Sequence, residues 1–274
     1  MSLTAESFTF VADLVRKKSA IHLPPGKEYL VESRLMPLAR RAGLSVDDYV
    51  RRQRTSASLT EAELIVEALT TNETSWFRDA LPFVTLAGHV LPEVMANKPV
   101  TAPLKIWSAA CSTGQEPYSI AMALLDALSG PSPRIEITAT DLSGEVLAKA
   151  ERGAYSQLEV NRGLPAKYLV KHFTKAGTEW QISKELRSLV RFSKHNLLGA
   201  PPVGPFDIVF LRNVLIYFDV EVKRDILRRL RTSMRPGGFL VLGAAETTVG
   251  IDDLWQRVQV GRSSIYQNTT RSRT

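Results

Sequence analysis

Apolar positions recur at helical intervals in the first quarter of the chain and at strand-like intervals later. Phe8, Val11, Leu14 and Val15 lie three and four residues apart or nearly so, and Leu64, Ile65, Ala68 and Leu69 repeat the spacing, so Ser7 to about Leu69 is expected to form a small all-helical domain, residues 1–70. Pro24, Pro25 and Gly26 divide the first helix from the next, and Gly43 ends a basic helix that begins near Glu28. From Leu104 the rhythm changes, with LKIWSAA, EPYSIAMALLDAL, IEITATD, SGEVLAKAERGAY and later FDIVFLRN alternating strand-like and helical patterns. Such alternation predicts a doubly wound α/β domain, residues 71–274, built on a parallel sheet with crossover helices. The run MRPGGFLVLG is expected to close that sheet, with Pro236, Gly237 and Gly238 turning the chain out of a basic helix into a last buried strand. Between Leu164 and Arg191 the alternation breaks into a helix and a short hairpin, predicting a small β subdomain, about 164–191, inserted before a strand at Val190 to Ser193. The tail TTRSRT after Asn268 is expected to fray.

In a doubly wound sheet ligands bind beyond the carboxyl ends of the strands, which directs attention to three polar strand tips. The first follows LKIW: Ser108 to Gly114 holds no bulky side chain, so the backbone there can come close to a ligand, and a helix starts directly afterwards. Gly114 is the only glycine in this turn, which argues against a tightly wrapped pyrophosphate and for a looser, uncharged contact. The second tip is Asp141, spaced from that turn as ribose-binding acids commonly are; capping of the following helix is the alternative use of this carboxylate. The third is Arg212 with Asn213, a charged and an amide side chain placed directly after a buried strand. Glu116 at the helix start would repel phosphate but offset a sulfonium or an amino group, although an acid there also suits the helix terminus by itself. Together these features point to a nucleoside ligand without a diphosphate, a description that S-adenosylmethionine fits.

Composition narrows the setting. With 274 residues and 44% hydrophobic content the chain can bury a full core, and its single cysteine, Cys111, excludes an intrachain disulfide and a cysteine-based metal site. A small thiol in a close-packed turn is expected to be structural rather than nucleophilic. No run approaches the roughly 18 apolar residues of a membrane span, and the N-terminus lacks a signal pattern, so a cytoplasmic location is expected. The net charge of +7 points to acidic partners without choosing one. It gathers in clusters at Arg34, Arg40 and Arg41, at Arg51, Arg52 and Arg54, and from Lys223 to Arg235, each of which could equally be a solvated helix face.

Taken in order, NETSWFRD, SAACSTGQEPYS, ATD, FLRNVLIYFD and RPGGFLVLG resemble the chemotaxis receptor methyltransferases of the CheR family, and the likeness covers nearly the whole chain. It implies a class I methyltransferase domain with a Rossmann-like fold, a helical receptor-facing N-terminal domain and an inserted β subdomain. The activity it implies is methyl transfer from S-adenosylmethionine to glutamate side chains on a receptor's cytoplasmic helical bundle, releasing S-adenosylhomocysteine and using no metal. By similarity, Asn72, Thr74 and Arg78 are expected to contact the cofactor, Glu116 and Asp141 to hold its amino-acid and ribose portions, and Asn196, Leu197, Arg212 and Asn213 to complete the pocket. Arg78 and Tyr217 are the family positions nearest the methyl group, and are the expected catalytic pair.

The likeness also implies a basic helix facing the acidic receptor, occupied here by Arg34, Arg40 and Arg41, with the β subdomain as a second candidate surface. Pro37 and Leu38 interrupt the basic run, which predicts an altered receptor preference. Some members dock a receptor C-terminal peptide through a glycine-containing loop of the β subdomain; Thr174 to Gln181 is short with only Gly177, so independence of that tether is expected. Methylation of RNA competes as a reading of the positive charge, but no aromatic residues alternate with the basic clusters to stack bases, and neither nucleic-acid binding nor membrane insertion is expected. A non-catalytic cofactor-sensing adaptor would require a damaged pocket, whereas Arg78, Glu116, Asp141, Asn213 and Tyr217 are all present.

Overall fold

A computed structural model describes residues 3–99, 101–128 and 133–269; residues 270–274, most of the tail expected to fray, lie outside them. The chain divides into two compact units, one of residues 1–71 with Tyr217–Val222 and one holding the remainder.

The first unit is built on four helices: α1 Ala5–Ser19, α2 Glu28–Arg41, α3 Val46–Ser56 and α4 Leu59–Ala68. Three start on a hydroxyl that accepts a backbone N–H of the first turn, Thr4 for α1, Ser45 for α3 and Ser58 for α4, satisfying a donor that would otherwise lack a partner. Val11, Val15, Val31, Leu35, Val50 and Ile65 are withdrawn from solvent and supply the core. Asp47 ties α3 to the start of α1, accepting from the Thr4 amide at 3.0 Å and the Thr4 hydroxyl at 2.7 Å. The Ser7 and Thr4 hydroxyls beside it hold its carboxyl down at about 2. Helix α2 continues through Pro37, and Leu38 belongs to its buried face. Arg34 donates to the Thr70 carbonyl and to the Thr71 hydroxyl, so its charge ties α2 to the end of its own unit, while Arg40 and Arg41 remain exposed.

The second unit holds a seven-stranded sheet. Its strands in chain order are β1 Leu104–Ala109, β2 Ile135–Asp141, β6 Val190–Lys194, β7 Phe206–Leu211, β8 Met234–Leu242, β9 Trp255–Val260 and β10 Ser263–Asn268. The spatial order is β6-β2-β1-β7-β8-β10-β9. The five strands from β6 to β8 are parallel. From β1 the chain winds outward through β2 to β6, then returns to lay β7 on the other side of β1. The direction therefore reverses between β1 and β7, and there the carboxyl ends open a crevice. Strands β1 and β7 are buried almost throughout, as central parallel strands covered on both faces must be. Trp107 fits this interior because its indole N–H donates to the Thr140 hydroxyl at 2.9 Å.

Three expectations are corrected. The sheet does not close at β8, because a hairpin adds β10 and β9 in antiparallel register beyond it. In WQRVQV the polar positions face solvent, and that surface alternation on an edge strand gave a weaker signal than the apolar run before it. Nor does Pro236 to Gly238 stand between a helix and a strand: it lies within β8 as a shift of register against β7. The small sheet, β3-β5-β4, also reaches further than 164–191, since β5 Glu179–Ile182 pairs with β4 Phe173–Ala176 on one side and with β3 Ala154–Ser156 on the other.

Candidate functional site

The turn after β1 carries positive φ at Ala110 (59°), Ser112 (50°) and Gly114 (93°). For alanine and serine this costs energy unless surrounding bonds hold the turn. Asp141 at the tip of β2 supplies one: its Oδ2 accepts the Ser112 amide at 2.8 Å, while Oδ1 accepts the Ser143 amide at 3.1 Å at the start of the helix Gly144–Arg152. Asp141 therefore braces the turn as well as the next helix. Gly114 has a packing role. A Cβ there would lie 2.8 Å from that of Ala150 and 3.0 Å from the Tyr155 hydroxyl, so the glycine lets two elements pack. Cys111 is buried, and burial first of all, with Asp141 and Glu116 nearby, raises its thiol well above the usual range. It is a packing residue, as expected.

Glu116 lies in the first turn of the helix Gln115–Ala127 and is not a free acceptor. Its Oε1 accepts the Ser108 hydroxyl at 2.8 Å and its Oε2 meets Arg212 Nη1 at 3.0 Å. Burial raises its pKa, opposed by Arg212 and by the Ser108 hydroxyl. Arg212 follows β7 and its side chain is only 1% exposed. Its Nη2 donates to the Arg78 carbonyl at 2.9 Å and to Asp79 Oδ2 at 2.7 Å. One guanidinium thus joins the strand tip, the helix start and the segment 72–79.

That segment is seated on the sheet's carboxyl edge at several points. The Asn72 carbonyl accepts the Ser112 hydroxyl at 2.8 Å, the Phe77 amide donates to Ser119 Oγ at 3.0 Å, and the Trp76 amide donates to the Arg162 carbonyl at 3.0 Å. Trp76 is buried edge-on against Tyr155 and Phe173, and Phe77 stacks on Tyr168 at 4.9 Å. Phe77 and Asp79 carry φ of 47° and 65°, a second strained stretch held over the same crevice. Asn72, Thr74 and Arg78 are half-buried in it. Arg78 donates to the Glu73 carbonyl at 3.1 Å.

Asn196 and Leu197 follow β6 beside β2, where the His195 amide donates to the Asp141 carbonyl at 2.8 Å. Arg229 donates to the Leu197 carbonyl at 3.1 Å. Part of the basic cluster from Lys223 to Arg235 is thereby structural: Arg224 holds the Ile251 carbonyl and Arg231 holds Asn268. Asn213, with φ of 57°, is fixed by a residue that sequence reasoning passed over. Glu246, just past β8, accepts backbone N–H from Asn213 and Gly243 at 2.7 Å each, from Val214 at 2.9 Å and from Leu215 at 2.7 Å. The strand-tip rule that found Asp141 and Arg212 would have found Glu246 too, had it been applied to β8. Tyr217 ends a 3-10 turn, Leu215–Tyr217, and groups with the helical unit rather than with the sheet.

The second unit thus brings together Asn72, Arg78, Glu116, Asp141, Asn196, Arg212 and Asn213 around one end of the sheet. The buried cation is met by Glu116 and Asp79, and the first turn beneath the cradle is filled by the side chains of Gln115 and Glu116, Thr113 donating to Gln115 at 2.8 Å. This donor set suits a cationic nucleoside far better than a polyphosphate. Among the described residues no group of His, Cys, Asp or Glu could hold a metal ion, and no helix is long and apolar enough to cross a membrane.

A doubly wound sheet with an acid-lined crevice at its switch point and no glycine-rich phosphate loop fits a methyltransferase using S-adenosylmethionine, and similarity to known proteins shows that class. Residues 72–263 match the CheR methyltransferase SAM-binding domain and residues 6–70 the CheR methyltransferase all-alpha domain. The chain belongs to the CheR methyltransferase family. It is 43% identical to "Chemotaxis protein methyltransferase Cher2" of Pseudomonas putida, over 92% of this chain and 94% of that protein. It is 42% identical to "Chemotaxis protein methyltransferase 1" of Pseudomonas aeruginosa, over 97% and 99%. To the "Chemotaxis protein methyltransferase" of Escherichia coli it is 34% identical, over 90% and 86%.

Proposed function

We propose that this protein is a protein-glutamate O-methyltransferase that esterifies glutamate side chains on the cytoplasmic helices of chemoreceptors, in a cytoplasmic setting that its single buried thiol fits. The observation that carries this reading is the seating of segment 72–79, with Arg78 in it, over a crevice lined by Glu116 and Asp141 and clamped by Arg212. S-adenosylmethionine, when bound, supplies an electrophilic methyl group on a sulfonium. Asp141, with two oxygens oriented at the tip of β2, is suited to receive the ribose hydroxyls, and Glu116, held by Ser108 and Arg212, forms the wall at the amino-acid end. Asn72, Thr74, Asn196, Leu197 and Asn213 line the remainder.

A glutamate side chain titrates near about 4.3 and is already anionic at neutral pH, so the acceptor needs orientation and loss of water more than a base. Alignment of reacting groups is worth several kcal/mol of the barrier, on the order of 7–11 in the best cases. Arg78 is the group that orients the incoming carboxylate, and Tyr217 shapes the methyl end. With Arg34 committed to the Thr70 carbonyl, receptor docking rests on Arg40 and Arg41.

Transfer of labelled methyl groups to receptor-rich membranes, compared with total RNA from the same cell, tests the reading: base-stable label in RNA and none in receptors would refute it. In that assay Arg78→Ala is expected to lose about a hundredfold or more in kcat, as when a positioning group is removed; wild-type turnover with unchanged cofactor binding would dismiss its role. The short turn at Gly177 between β4 and β5 supports independence of a receptor C-terminal peptide. Calorimetric titration with such a peptide is expected to give no tight binding, and a tight complex would reverse this expectation.

A further inference from the structure

The carboxyl edge of the sheet holds a second concavity next to the crevice. It holds about 480 Å³, and its lining includes Asp79 and Glu246 together with Arg257, Arg262 and Ser264 of the β9–β10 hairpin. Asp79 is paired with Arg212, and Glu246 keeps its charge while its oxygens accept four backbone amides, so the two arginines outnumber the one uncompensated carboxylate of the lining. The arginines are not balanced in the same way. Arg257 meets neutral oxygens, donating to Ser264 Oγ from Nε at 3.1 Å and from Nη2 at 2.7 Å, and to Gln259 Oε1 at 3.4 Å. Arg262 is exposed beside Gly261 at the hairpin turn, and among the described residues neither arginine has an ion-pair partner. Its lining also includes Asp79, the residue after Arg78, and Glu246, which holds the Asn213 amide, so the concavity adjoins two of the residues that frame the crevice.

We propose that this concavity is a carboxylate subsite for the acceptor protein: Arg257 and Arg262 hold an acidic side chain of the substrate helix while its neighbouring glutamate is methylated. The inference rests on the glutamate-methylating reading above. Guanidinium groups present paired N–H donors that match a carboxylate, and exposed charges of this kind govern encounter and affinity more than turnover. A nucleic acid fits less well. The concavity's aromatic residue, Tyr266, is buried and its hydroxyl is bonded to Thr247 at 3.1 Å, leaving no ring for a base to stack on.

The test is steady-state methylation of a receptor cytoplasmic fragment by wild-type protein, by Arg262→Gln, and by the double variant Arg257→Gln with Arg262→Gln. Both side chains lie on the surface, and melting temperatures verify that the fold persists. Receptor KM is expected to rise about tenfold in the double variant and less in the single one, as for two exposed charge contacts, with a flatter salt dependence. Turnover and the KM for S-adenosylmethionine should stay within about twofold, the split expected when only acceptor binding is lost. An unchanged receptor KM in an active enzyme overturns the subsite alone, as does a loss confined to RNA binding. Loss of cofactor affinity in parallel would mark the arginines as structural and also overturn it. If wild-type protein methylates no receptor fragment, the functional reading fails and the subsite falls with it.

Discussion

Arg212→Met is expected to destabilise the α/β unit by about 3–5 kcal/mol, the usual cost of removing one partner from a buried ion pair. The guanidinium is 1% exposed and closes three contacts, to Glu116, Asp79 and the Arg78 carbonyl. Methionine fills much of the volume but leaves Glu116 buried without its counter-charge. The pKa of Glu116 is raised by burial even with Arg212 present, so removing Arg212, which opposes that shift, should raise it further. The sign follows by linkage. A carboxyl whose folded value lies above its unfolded one brings no penalty below the unfolded value, and the penalty grows as pH rises through the window between the two. Urea denaturation at pH 5 and pH 8 should therefore show a larger gap from wild type at pH 8. Equal midpoints at pH 8 would remove Arg212 from its role as a clamp. Arg212→Lys keeps a charge but not the fork, and should recover only part of the loss.

Asp141→Ala is expected to lower the affinity for S-adenosylhomocysteine by about a hundredfold or more and to bring methylation to background. Two effects combine. The proposed acceptor for the ribose hydroxyls disappears, and hydrogen bonds to charged groups contribute about 1.5–3 kcal/mol each, where about 1.4 kcal/mol is tenfold in affinity. The Ser112 amide also loses its carboxylate, freeing a turn that holds Ala110 and Ser112 at positive φ, so the floor of the crevice loses its preorganisation. Titration calorimetry checks the binding, with Asp141→Asn expected to fall between alanine and wild type because one acceptor oxygen remains. Binding by the alanine variant at wild-type strength would show that the ribose is held elsewhere.

Strands β1, β2 and β7 and the helix after β1 were legible in LKIWSAA, IEITATD, FDIVFLRN and EPYSIAMALLDAL because buried parallel strands and amphipathic helices impose their periods on neighbouring residues. The strand-tip rule then picked out Asp141, Glu116, Arg212 and Asn213 with no knowledge of the sheet. Segment 72–79 was another matter. Nothing local in TNETSWFRD distinguishes a helix cap from a cofactor wall, and the resemblance alone drew attention to it. The hairpin β9–β10 and the short strand β3 were missed because an exposed edge strand alternates weakly, and a three-residue strand has too few positions to show a period.

What this sequence determined by itself was the alternation of elements, the phosphate-free character of the cradle and the family that its motifs resemble, all properties of residues near one another in the chain. Which polar groups neutralise which was decided only in three dimensions. Glu116 looked like a wall for a cationic ligand and Arg212 like a pocket residue. Because β7 lies against β1, the two are each other's partners, and the same contact pins the segment that carries Arg78. Gly114, the one glycine of the cradle, leaves room for Ala150 and Tyr155. Glu246 drew no notice in the chain, yet its carboxylate gathers four amides from two strand ends. Pairings of this kind depend on strand order and on the depth of burial, and no local spacing encodes either.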